Sequence, residues 1–476
     1  MMNEYVKLKI QNGIGTIEFL HPQRNTNPRK NMKKLFGTDG IRGIANKNPM
    51  TAEVALRVAL AVGKRFPKGS HGRKIVIGKD TRLSGYMLEP ALTAGFISMG
   101  MNVVLLGPLP TPAVALLTRS LRADLGVVIS ASHNHYQDNG IKFFDRQGYK
   151  FSDAVEKKIE ENFNTFKQTD LIQSEKLGKA YRLDDAQGRY IEFVKNTFPK
   201  DLRLDGLKIV VDCANGAAYK IAPTVFWELG ADVIPIGTEP NGFNINKGCG
   251  ALDTRKLCQK VLKEKADLGI ALDGDADRII VVDEKGKRLD GDKILAIIAQ
   301  QLKKDKKLRG SGVVGTVMSN MALENYLKEQ DLKLYRSKVG DRYVVSTMKQ
   351  KGCNVGGESS GHIILNDCGT TGDGTVAALQ MLAAIKRSGM SVSEAGKIFQ
   401  AFPQLTKNVP LNGNIVLKQK KIEKVLKQAK LELGRNGRLI VRPSGTEPLL
   451  RITAESESSA VNTRVANMVA EKVAKK

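Results

Sequence analysis

Residues 126–144 read GVVISASHNHYQDNGIKFF, and this stretch indicates the fold class. An apolar run without polar alternation is typical of a strand in a sheet covered on both faces. The run ends in small polar residues, and ligands of open α/β folds bind where strands end at the rim of the sheet. The loop carries Ser132, His133 and Asn134. A serine hydroxyl in such a loop can carry a phosphoryl group.

This strand belongs to a repeated β-α rhythm. From about residue 73, apolar strands alternate with helix-like segments, and the rhythm restarts at Leu207 and at Gly312. After about Phe402, a basic helical segment, two strands around the loop RPSGTEP and a final helix indicate a smaller α+β unit. We predict three successive mixed α/β domains followed by this unit. The predicted bounds are 1–31 for an N-terminal extension with hairpin-like alternation and no assigned role, 32–188, 189–290 and 291–402 for the α/β domains, and 403–476 for the α+β domain.

The composition shows an excess of positive charge. Lys and Arg total 75 against 49 Asp and Glu in 476 residues, a net charge of +26. Such a charge attracts nucleic acid or a phosphorylated small molecule, although solvated helix faces also explain it. The lysine clusters lack interleaved aromatic residues, which argues against a stacking platform for bases. We expect no nucleic-acid partner.

The sequence also bears on the compartment. No apolar run approaches the ~20 residues of a membrane span, and the N-terminus MMNEYVKLKI lacks the apolar core of a secretory signal. The five cysteines show no CxxC spacing, so neither a disulfide framework nor a zinc site is predicted. We expect a cytoplasmic protein with no membrane partner.

A second polar loop, DGDADR at residues 273–278, lies between the apolar runs LGIA and IIVV. Asp273, Asp275 and Asp277 repel one another unless a cation compensates them, and carboxylate oxygens suit a hard divalent cation. An EF-hand is excluded because Arg278 stands where that loop needs glycine and the flanks are strands. An aspartyl-phosphate phosphatase remains a weaker alternative, because Asp277 stands where its pattern has threonine or valine.

A third loop, RPSGTEP, combines two guanidinium groups with hydroxyls and backbone donors, the groups that hold a phosphate. Its residues are Arg442, Ser444, Gly445, Thr446 and, just beyond it, Arg451. Without the flanking arginines, a loop of this composition would be read as a simple turn.

Two further loops offer polar groups. GGESSGH, residues 356–362, contains Glu358, Ser360 and His362, and such side chains hydrogen-bond the hydroxyls of a sugar. FGTDGIRG, residues 36–43, offers Arg42 as a bidentate anion contact. Taken singly, each of these two loops could equally be structural.

Together and in this order, the five segments resemble the α-D-phosphohexomutase family over residues 33–476. FGTDGIRG, SASHN, DGDADR, a GE-x-SGH loop and RPSGTEP occur jointly in that family and hardly elsewhere. The chain is most similar to bacterial members that act on glucosamine phosphates, judged from FGTDGIRG, DNGIKFF, RSKVGDRYV at 336–344 and TTGDG at 370–374. The resemblance implies four domains around a central cleft, a phosphorylated serine and one Mg²⁺ per active site.

The resemblance also assigns roles to the matched residues. Ser132 would be the phosphoserine, and one of its phosphoryl oxygens would join the three aspartates around the metal. Glu358 and Ser360 would contact the sugar, with His362 in the same loop. The phosphate that is not reacting would be bound by Arg442, Ser444, Gly445, Thr446 and Arg451.

The implied enzyme is an isomerase, an intramolecular phosphotransferase that interconverts glucosamine 6-phosphate and glucosamine 1-phosphate. This reaction lies upstream of UDP-N-acetylglucosamine and cell-wall precursors. Glucosamine 1,6-bisphosphate or a similar sugar would be the intermediate, and a separate phosphoryl donor would first charge Ser132. The resemblance allows a homodimer without requiring one.

Physical reasoning supports this mechanism independently. Moving a phosphoryl group between two oxygens of one sugar needs a donor fixed on the enzyme and a second anion site across the cleft. The transition state is mostly positioned and charge-stabilised, so Mg²⁺ and Arg278 should matter more than acid-base chemistry. Lys142, His133 and Arg42 are available near the serine for proton transfer or charge relief. Because water competes as acceptor, residues from about 403 onward should close over the substrate.

The sequence departs from the family at two positions. His135 stands where the usual loop has proline, which should loosen the backbone near the phosphoserine. Ser359 fills the variable middle of the GE-x-SGH loop, where sugar preference is partly set. A phosphomannomutase or phosphoglucomutase of the same family is the nearest alternative. An aspartyl-phosphate hydrolase and a basic nucleic-acid-binding protein on a mutase scaffold are more distant ones.

Overall fold

The computed structural model of the chain describes residues 6–11, 14–19, 35–37, 39–66, 73–410, 420–434, 436–443 and 449–474. The chain divides into two compact units, Met1–Lys34 and Leu35–Lys476. In the first unit, β1 (Val6–Gln11) pairs antiparallel with β2 (Ile14–Phe19). The hairpin predicted there from the alternation of apolar residues is confirmed.

The first part of the second unit is built on a mixed sheet. Its elements are β3 (Ile41–Ile44), α1 (Ala52–Gly63), β4 (Arg73–Lys79), α2 (Gly85–Ile97), β5 (Met101–Pro108), α3 (Thr111–Ser120), β6 (Leu125–Ile129), β7 (Asp138–Asp145), α4 (Asp153–Thr165) and β8 (Ala180–Arg182). The strand order is β3-β7-β6-β4-β5-β8. β8, β5, β4 and β6 run parallel, and β7 and β3 complete one edge antiparallel.

Two further α/β parts follow. The second contains α5 (Ala186–Asn196), β9 (Lys208–Asp212), α6 (Ile221–Glu228), β10 (Asp232–Ile236), α7 (Arg255–Glu264), β11 (Leu268–Leu272), β12 (Ile279–Asp283) and β13 (Arg288–Leu289). The third contains α8 (Gly291–Lys304), β14 (Gly312–Thr316), α9 (Met321–Glu329), β15 (Lys333–Ser337), α10 (Asp341–Lys351), β16 (Val355–Gly357), β17 (Ile363–Leu365), α11 (Gly374–Ser388) and α12 (Val392–Ala395). Their sheets have the orders β10-β9-β11-β12-β13 and β15-β14-β16-β17.

The last part is a small antiparallel sheet with two helices. It contains β18 (Gln404–Pro410), α13 (Lys420–Leu433), β19 (Arg438–Pro443), β20 (Leu449–Glu455) and α14 (Ser459–Ala474), with strand order β18-β20-β19. The predicted class, three mixed α/β parts followed by an α+β part, is therefore confirmed. None of the described helices is long and apolar enough to cross a membrane.

Strand β4 shows why the apolar runs lack polar alternation. Its residues Ile75 and Ile77 are buried in a cluster with helices α1 and α2, whereas Val76 between them joins a different cluster with α3. Successive side chains of a strand point to opposite faces, so both faces of this sheet are covered by apolar groups. The cluster that contains Val76 continues through the second and third parts as far as Val392. The three α/β parts thus share one core.

The predicted boundary after residue 188 falls inside helix α5. Tyr190 on this helix is buried in the shared core, and its hydroxyl donates to Asp373 Oδ2 at 2.8 Å. Helix α5 therefore lies across the predicted boundary and packs into the core that the α/β parts share.

The last part has its own apolar cluster, built from β18, β20 and the helices α13 and α14. Partly buried polar contacts attach it to the third part. Glu455 Oε1 accepts a hydrogen bond from Met321 N at 2.7 Å, and Arg438 Nη2 donates to Ser319 O at 2.7 Å. Asn320 holds the segment that leads into the last part. Its side chain donates to the carbonyl of Phe402 and accepts from the N–H of the same residue. The attachment is polar and narrow, whereas the first three parts are joined through apolar packing.

Candidate active site

Strand β6 delivers Ser132 to the rim of the first sheet, as predicted. Ser132 has φ of 51°, in the left-handed region, and it is 1% exposed. Ser132 Oγ donates to Asp273 Oδ2 at 2.6 Å. His133 Nδ1 lies 3.4 Å from Ser132 Oγ. The serine therefore faces the acidic loop of the second part directly.

The acidic loop joins the antiparallel strands β11 and β12, which agrees with the prediction that strands flank it. Ligand oxygens of Asp273, Asp275 and Asp277 all lie within 4.8 Å of one another, and the three residues are buried. Glu284, the residue at the twelfth position of an EF-hand pattern, instead accepts from Ser393 N at 3.0 Å. This agrees with the exclusion of an EF-hand.

The free oxygens of this loop fit a divalent cation. Asp275 Oδ2 accepts from Lys142 Nζ at 2.8 Å and from Thr111 Oγ1 at 2.6 Å. Within the described part of the chain, Asp275 Oδ1 and Asp277 Oδ1 are buried without a hydrogen-bond partner. Buried carboxylate oxygens without donors are unfavourable, and a hard cation such as Mg²⁺ is the partner they suit.

The charges of the loop perturb one another strongly. Burial, together with the negative Asp277 and Asp275, raises the pKa of Asp273 to about 8. Burial alone would also raise the pKa of Asp277, but Lys142 and His362 outweigh it and hold that pKa well below its usual range. The pKa of Asp273 is thus raised while that of Asp277 is lowered, as expected of like charges that share a site.

A ring of alternating charges surrounds the loop. Lys142 Nζ lies 3.6 Å from Asp277 Oδ2 and 3.5 Å from Asp39 Oδ2. Lys150 Nζ bridges Asp39 and Asp341, at 2.5 Å from an oxygen of each. His362 closes the ring, with Nε2 3.6 Å from Asp341 and Nδ1 3.5 Å from Asp277. The ring joins residues from all three α/β parts.

Three members of this ring were not predicted from the sequence as site residues. Asp39 belongs to FGTDGIRG and Asp341 to RSKVGDRYV, so both lie in segments that carry the family resemblance. Lys150 has no such signal, because it is a single lysine in a basic chain. Thr111, which donates to Asp275, opens helix α3 and had no polar pattern around it.

The predicted cationic residues gather near the serine. Arg42 Nη2 donates to Asp39 Oδ2 at 2.5 Å, and Arg278 Nε lies 3.8 Å from Asp277 Oδ1. Burial alone would lower the pKa of Lys142, but the three carboxylates of Asp275, Asp39 and Asp277 raise it, so this lysine is a cation. Burial, with Arg278 and Arg42 nearby, lowers the pKa of His133 to about 4.

The loop GGESSGH, residues 356–362, which is predicted to contact the sugar, combines exposed and buried side chains. Glu358 Oε1 accepts from Gly340 N at 3.0 Å, and Ser360 beside it is exposed. His362, expected in the same sugar-contacting set, is 3% exposed, and its ring lies between Asp277 and Asp341. Gly372 N donates to its Nε2 at 3.2 Å. The structure therefore places His362 behind the acidic loop, apart from the exposed Ser360.

Of the residues predicted to bind the phosphate that is not reacting, the structure describes Arg442 and Arg451. Arg442 and Arg451 stand opposite each other on the paired strands β19 and β20. Ser444, Gly445 and Thr446 lie outside the described residues. Burial and the positive Arg451 lower the pKa of Arg442, with Glu358 acting in the other direction. Two adjacent guanidinium groups repel each other unless an anion lies between them, which suits a phosphate.

A serine held against a buried acidic loop, within three α/β parts that share a core and a fourth part that carries paired arginines, defines a phosphohexomutase. Models of the four phosphoglucomutase/phosphomannomutase domains match in order: domain I at residues 33–170, II at 188–286, III at 290–402 and the C-terminal domain at 392–472. The chain belongs to the phosphoglucomutase/phosphomannomutase family.

Individual relatives extend this result. The chain is 57% identical to the phosphoglucosamine mutase of Parvibaculum lavamentivorans, over 92% of this chain and 98% of that protein. A phosphoglucomutase/phosphomannomutase family protein from Burkholderia thailandensis has the same fold, with a TM-score of 0.77, 23% identity and coverage of 92% and 97%. The N-acetylphosphoglucosamine mutase of Aspergillus fumigatus, solved in complex with GlcNAc-6P and magnesium, superposes with a TM-score of 0.64, 18% identity and coverage of 92% and 96%.

Gly274 provides a test of how closely the serine loop and the acidic loop must approach. A Cβ at this position would lie 2.7 Å from Ser132 O and 2.8 Å from Asn246 Nδ2. We expect Gly274→Ala to destabilise the protein by about 1–3 kcal/mol and to lower turnover, because overpacking pushes the two loops apart. Thermal melting and steady-state turnover measure the two effects.

Gly188→Ala is the matched control. This glycine lies in helix α5 and a Cβ there would meet nothing within 4 Å. Alanine should stabilise the helix by about 0.5–1 kcal/mol and leave turnover unchanged. Equal turnover of the Gly274→Ala variant and the wild type would contradict the close approach.

Proposed function

We propose that this enzyme interconverts glucosamine 6-phosphate and glucosamine 1-phosphate through a phosphorylated Ser132. The proposal rests on the 2.6 Å hydrogen bond from Ser132 Oγ to Asp273 Oδ2, which supports Ser132 as a phosphoryl carrier beside the acidic loop. The choice of glucosamine is supported by the 57% identity to a phosphoglucosamine mutase.

Asp273, Asp275 and Asp277 would hold the Mg²⁺ ion together with the phosphoserine. When bound, Mg²⁺ supplies positive charge that stabilises the transferring phosphoryl group. The buried oxygens of Asp275 and Asp277 that lack hydrogen-bond partners within the described residues support this assignment. His362, between Asp277 and Asp341, is assigned to orienting Asp277 rather than to the sugar.

The chain's own cations stabilise and position the transferring group. Lys142 Nζ donates to Asp275 Oδ2 at 2.8 Å, Arg42 Nη1 donates to Ala131 O at 3.4 Å beside Ser132, and the backbone N of Arg278 donates to Asp273 Oδ1 at 3.1 Å. Besides Asp273, His133 is a second group that can move a proton at Ser132 Oγ, because its Nδ1 lies 3.4 Å from that oxygen. Phosphoserine gives its group to one sugar hydroxyl. The resulting bisphosphate turns around, and its other phosphate returns to Ser132.

The remaining assignments concern recognition. Glu358 and Ser360 would contact the sugar, and Arg442 and Arg451, with Ser444, Gly445 and Thr446 between them, would bind the phosphate that is not reacting. The narrow polar attachment of residues 403–476 supports closure of this part over the substrate, which would exclude water as an acceptor. A separate phosphoryl donor must charge Ser132 before the first cycle.

Substrate preference is the direct test of the function. We expect kcat/KM for glucosamine 6-phosphate to exceed the values for mannose 6-phosphate and glucose 6-phosphate by at least ~10-fold, because a site that hydrogen-bonds an amino group rejects analogues lacking it. Coupled assays with the three substrates measure this ratio. Equal or higher turnover on either competitor would assign the enzyme to phosphomannomutase or phosphoglucomutase activity instead.

Ser132 should carry acid-stable phosphate. Intact mass and peptide mapping of the active enzyme should locate one phosphate on this residue, and Ser132→Ala should lower kcat by at least ~10³-fold. Ser388→Ala removes a hydroxyl at the end of helix α11 and should retain full turnover. Acid-labile label on an aspartate would favour an acyl-phosphate hydrolase, and near-normal turnover of Ser132→Ala would refute the carrier role.

The acidic loop should bind Mg²⁺ through its free oxygens. We expect chelation to abolish turnover, Mg²⁺ to restore it, and Asp277→Asn to weaken Mg²⁺ binding by at least ~10-fold in titration calorimetry. Asp283→Asn is the matched control, since this buried carboxylate at the end of β12 accepts from Lys285 N and Lys287 N in a turn. Similar Mg²⁺ affinities of the two variants would count against the metal assignment.

A further inference from the structure

The carrier loop, residues 130–138, turns its backbone carbonyl groups toward one buried guanidinium. Arg82 is 1% exposed and lies just before helix α2, which begins at Gly85. It is outside every loop predicted to act in catalysis. It donates from Nη2 to Ser132 O at 2.9 Å and Asn134 O at 2.8 Å, and from Nη1 to Asp138 O at 3.0 Å and to His135 O. A single side chain thus binds four carbonyl oxygens of the carrier loop.

Asp80 fixes this guanidinium and the amide of the serine together. Its Oδ2 accepts from Arg82 Nε at 2.8 Å and from Ser130 Oγ at 2.6 Å. Ser130 Oγ in turn accepts from Ser132 N at 2.9 Å. Asp80 and Arg82 are both buried, so their charges compensate each other without competition from solvent. The N–H and the carbonyl of Ser132 are therefore held by the same ion pair.

A second clamp comes from the second part of the chain. Asn246, in the loop between β10 and α7, donates from Nδ2 to Ser132 O and Asn134 O, each at 2.9 Å. Asn246 has φ of 56°, a conformation that asparagine tolerates better than most residues. The carbonyls of Ser132 and Asn134 thus accept hydrogen bonds from two donors that belong to different parts of the chain.

Such a grip is needed because the serine backbone is strained. A non-glycine residue with positive φ costs roughly 1 kcal/mol or more and persists only when its surroundings fix it. With its N–H and carbonyl held in this way, Ser132 places Oγ 2.6 Å from Asp273 Oδ2. Loss of the grip would release the backbone to an ordinary conformation and move Oγ.

We infer that Arg82 and Asn246 are positioning residues that hold Ser132 in the conformation for phosphoryl transfer. The inference rests on the proposed role of Ser132 as the carrier and adds the residues that orient it. Both side chains are buried and donate to backbone carbonyls, so we assign them no contact with the sugar.

The same contacts account for His135 at the family's proline position. Arg82 binds the backbone carbonyl of residue 135, which is present whether the side chain is an imidazole or a pyrrolidine ring. The loosening expected from the loss of proline is opposed by this hydrogen bond. The conformation of the loop therefore depends on Arg82 more than on the residue at 135.

The test uses phosphorylated full-length enzyme and two variants. Asn246→Asp keeps the shape of the side chain but replaces the donor with an acceptor that repels two carbonyl oxygens. Arg82→Lys keeps the charge beside Asp80 but loses the fork that reaches four carbonyls. In single-turnover rapid quench, we expect transfer from Ser132 to glucosamine 6-phosphate to slow by about 10- to 100-fold, with KM within about 2-fold of the wild type.

Glu89→Gln is the matched control for stability. It breaks the buried pair between Lys79 and Glu89 in the same part, at 2.6 Å, without touching the carrier loop. It should lower the melting temperature while leaving the transfer rate unchanged. Transfer rates of Asn246→Asp and Arg82→Lys equal to that of the wild type would overturn the inference alone. Absence of phosphate on Ser132 in active wild-type enzyme would overturn the proposed function and, with it, this inference.

Discussion

The mutual repulsion of three buried carboxylates is the constraint on which the rest of the site depends. Asp273, Asp275 and Asp277 are held together at the end of strand β11, where water cannot screen them. The structure compensates them with buried cations and with the Ser132 hydroxyl, yet two of their oxygens lack a donor within the described residues. The loop is therefore arranged to receive additional positive charge, and the Ser132 hydroxyl lies beside it, 2.6 Å from Asp273 Oδ2.

The compensating groups come from different parts of the chain, so the site exists only when these parts are packed together. Lys142 and Lys150 belong to the first part, the aspartates to the second, and Asp341 and His362 to the third. One continuous apolar core spans these three parts and fixes their arrangement. Apolar packing thus supplies the rigidity, while the buried ion pairs select one arrangement of the loops.

Site residues that belong to local sequence motifs could be predicted from the sequence. Residues whose role depends on tertiary contacts could not. The position of Ser132 after a doubly covered strand and the strands flanking the acidic loop could be predicted, because strand periodicity and motif spacing are local. Arg82 and Asn246 could not, since their partners are backbone carbonyls, which every residue carries. His362 was placed with the sugar loop because it is adjacent in sequence, but burial turns its ring toward Asp277. The boundary predicted after residue 188 stays a prediction, and helix α5 lies across it.

The division between a rigid and a separable part follows from the chemistry of the reaction. In the proposed reaction, the bisphosphate turns around between two phosphoryl transfers. The site for the unreacting phosphate must release it while Ser132 keeps its position. Ser132 is held by donors from the first and second parts, which share a core. Arg442 and Arg451 lie on the last part, which has its own core and a narrow polar attachment at Asn320 and Glu455. The two arginines can therefore move without moving Ser132, because separate interactions fix the last part and the loop of Ser132.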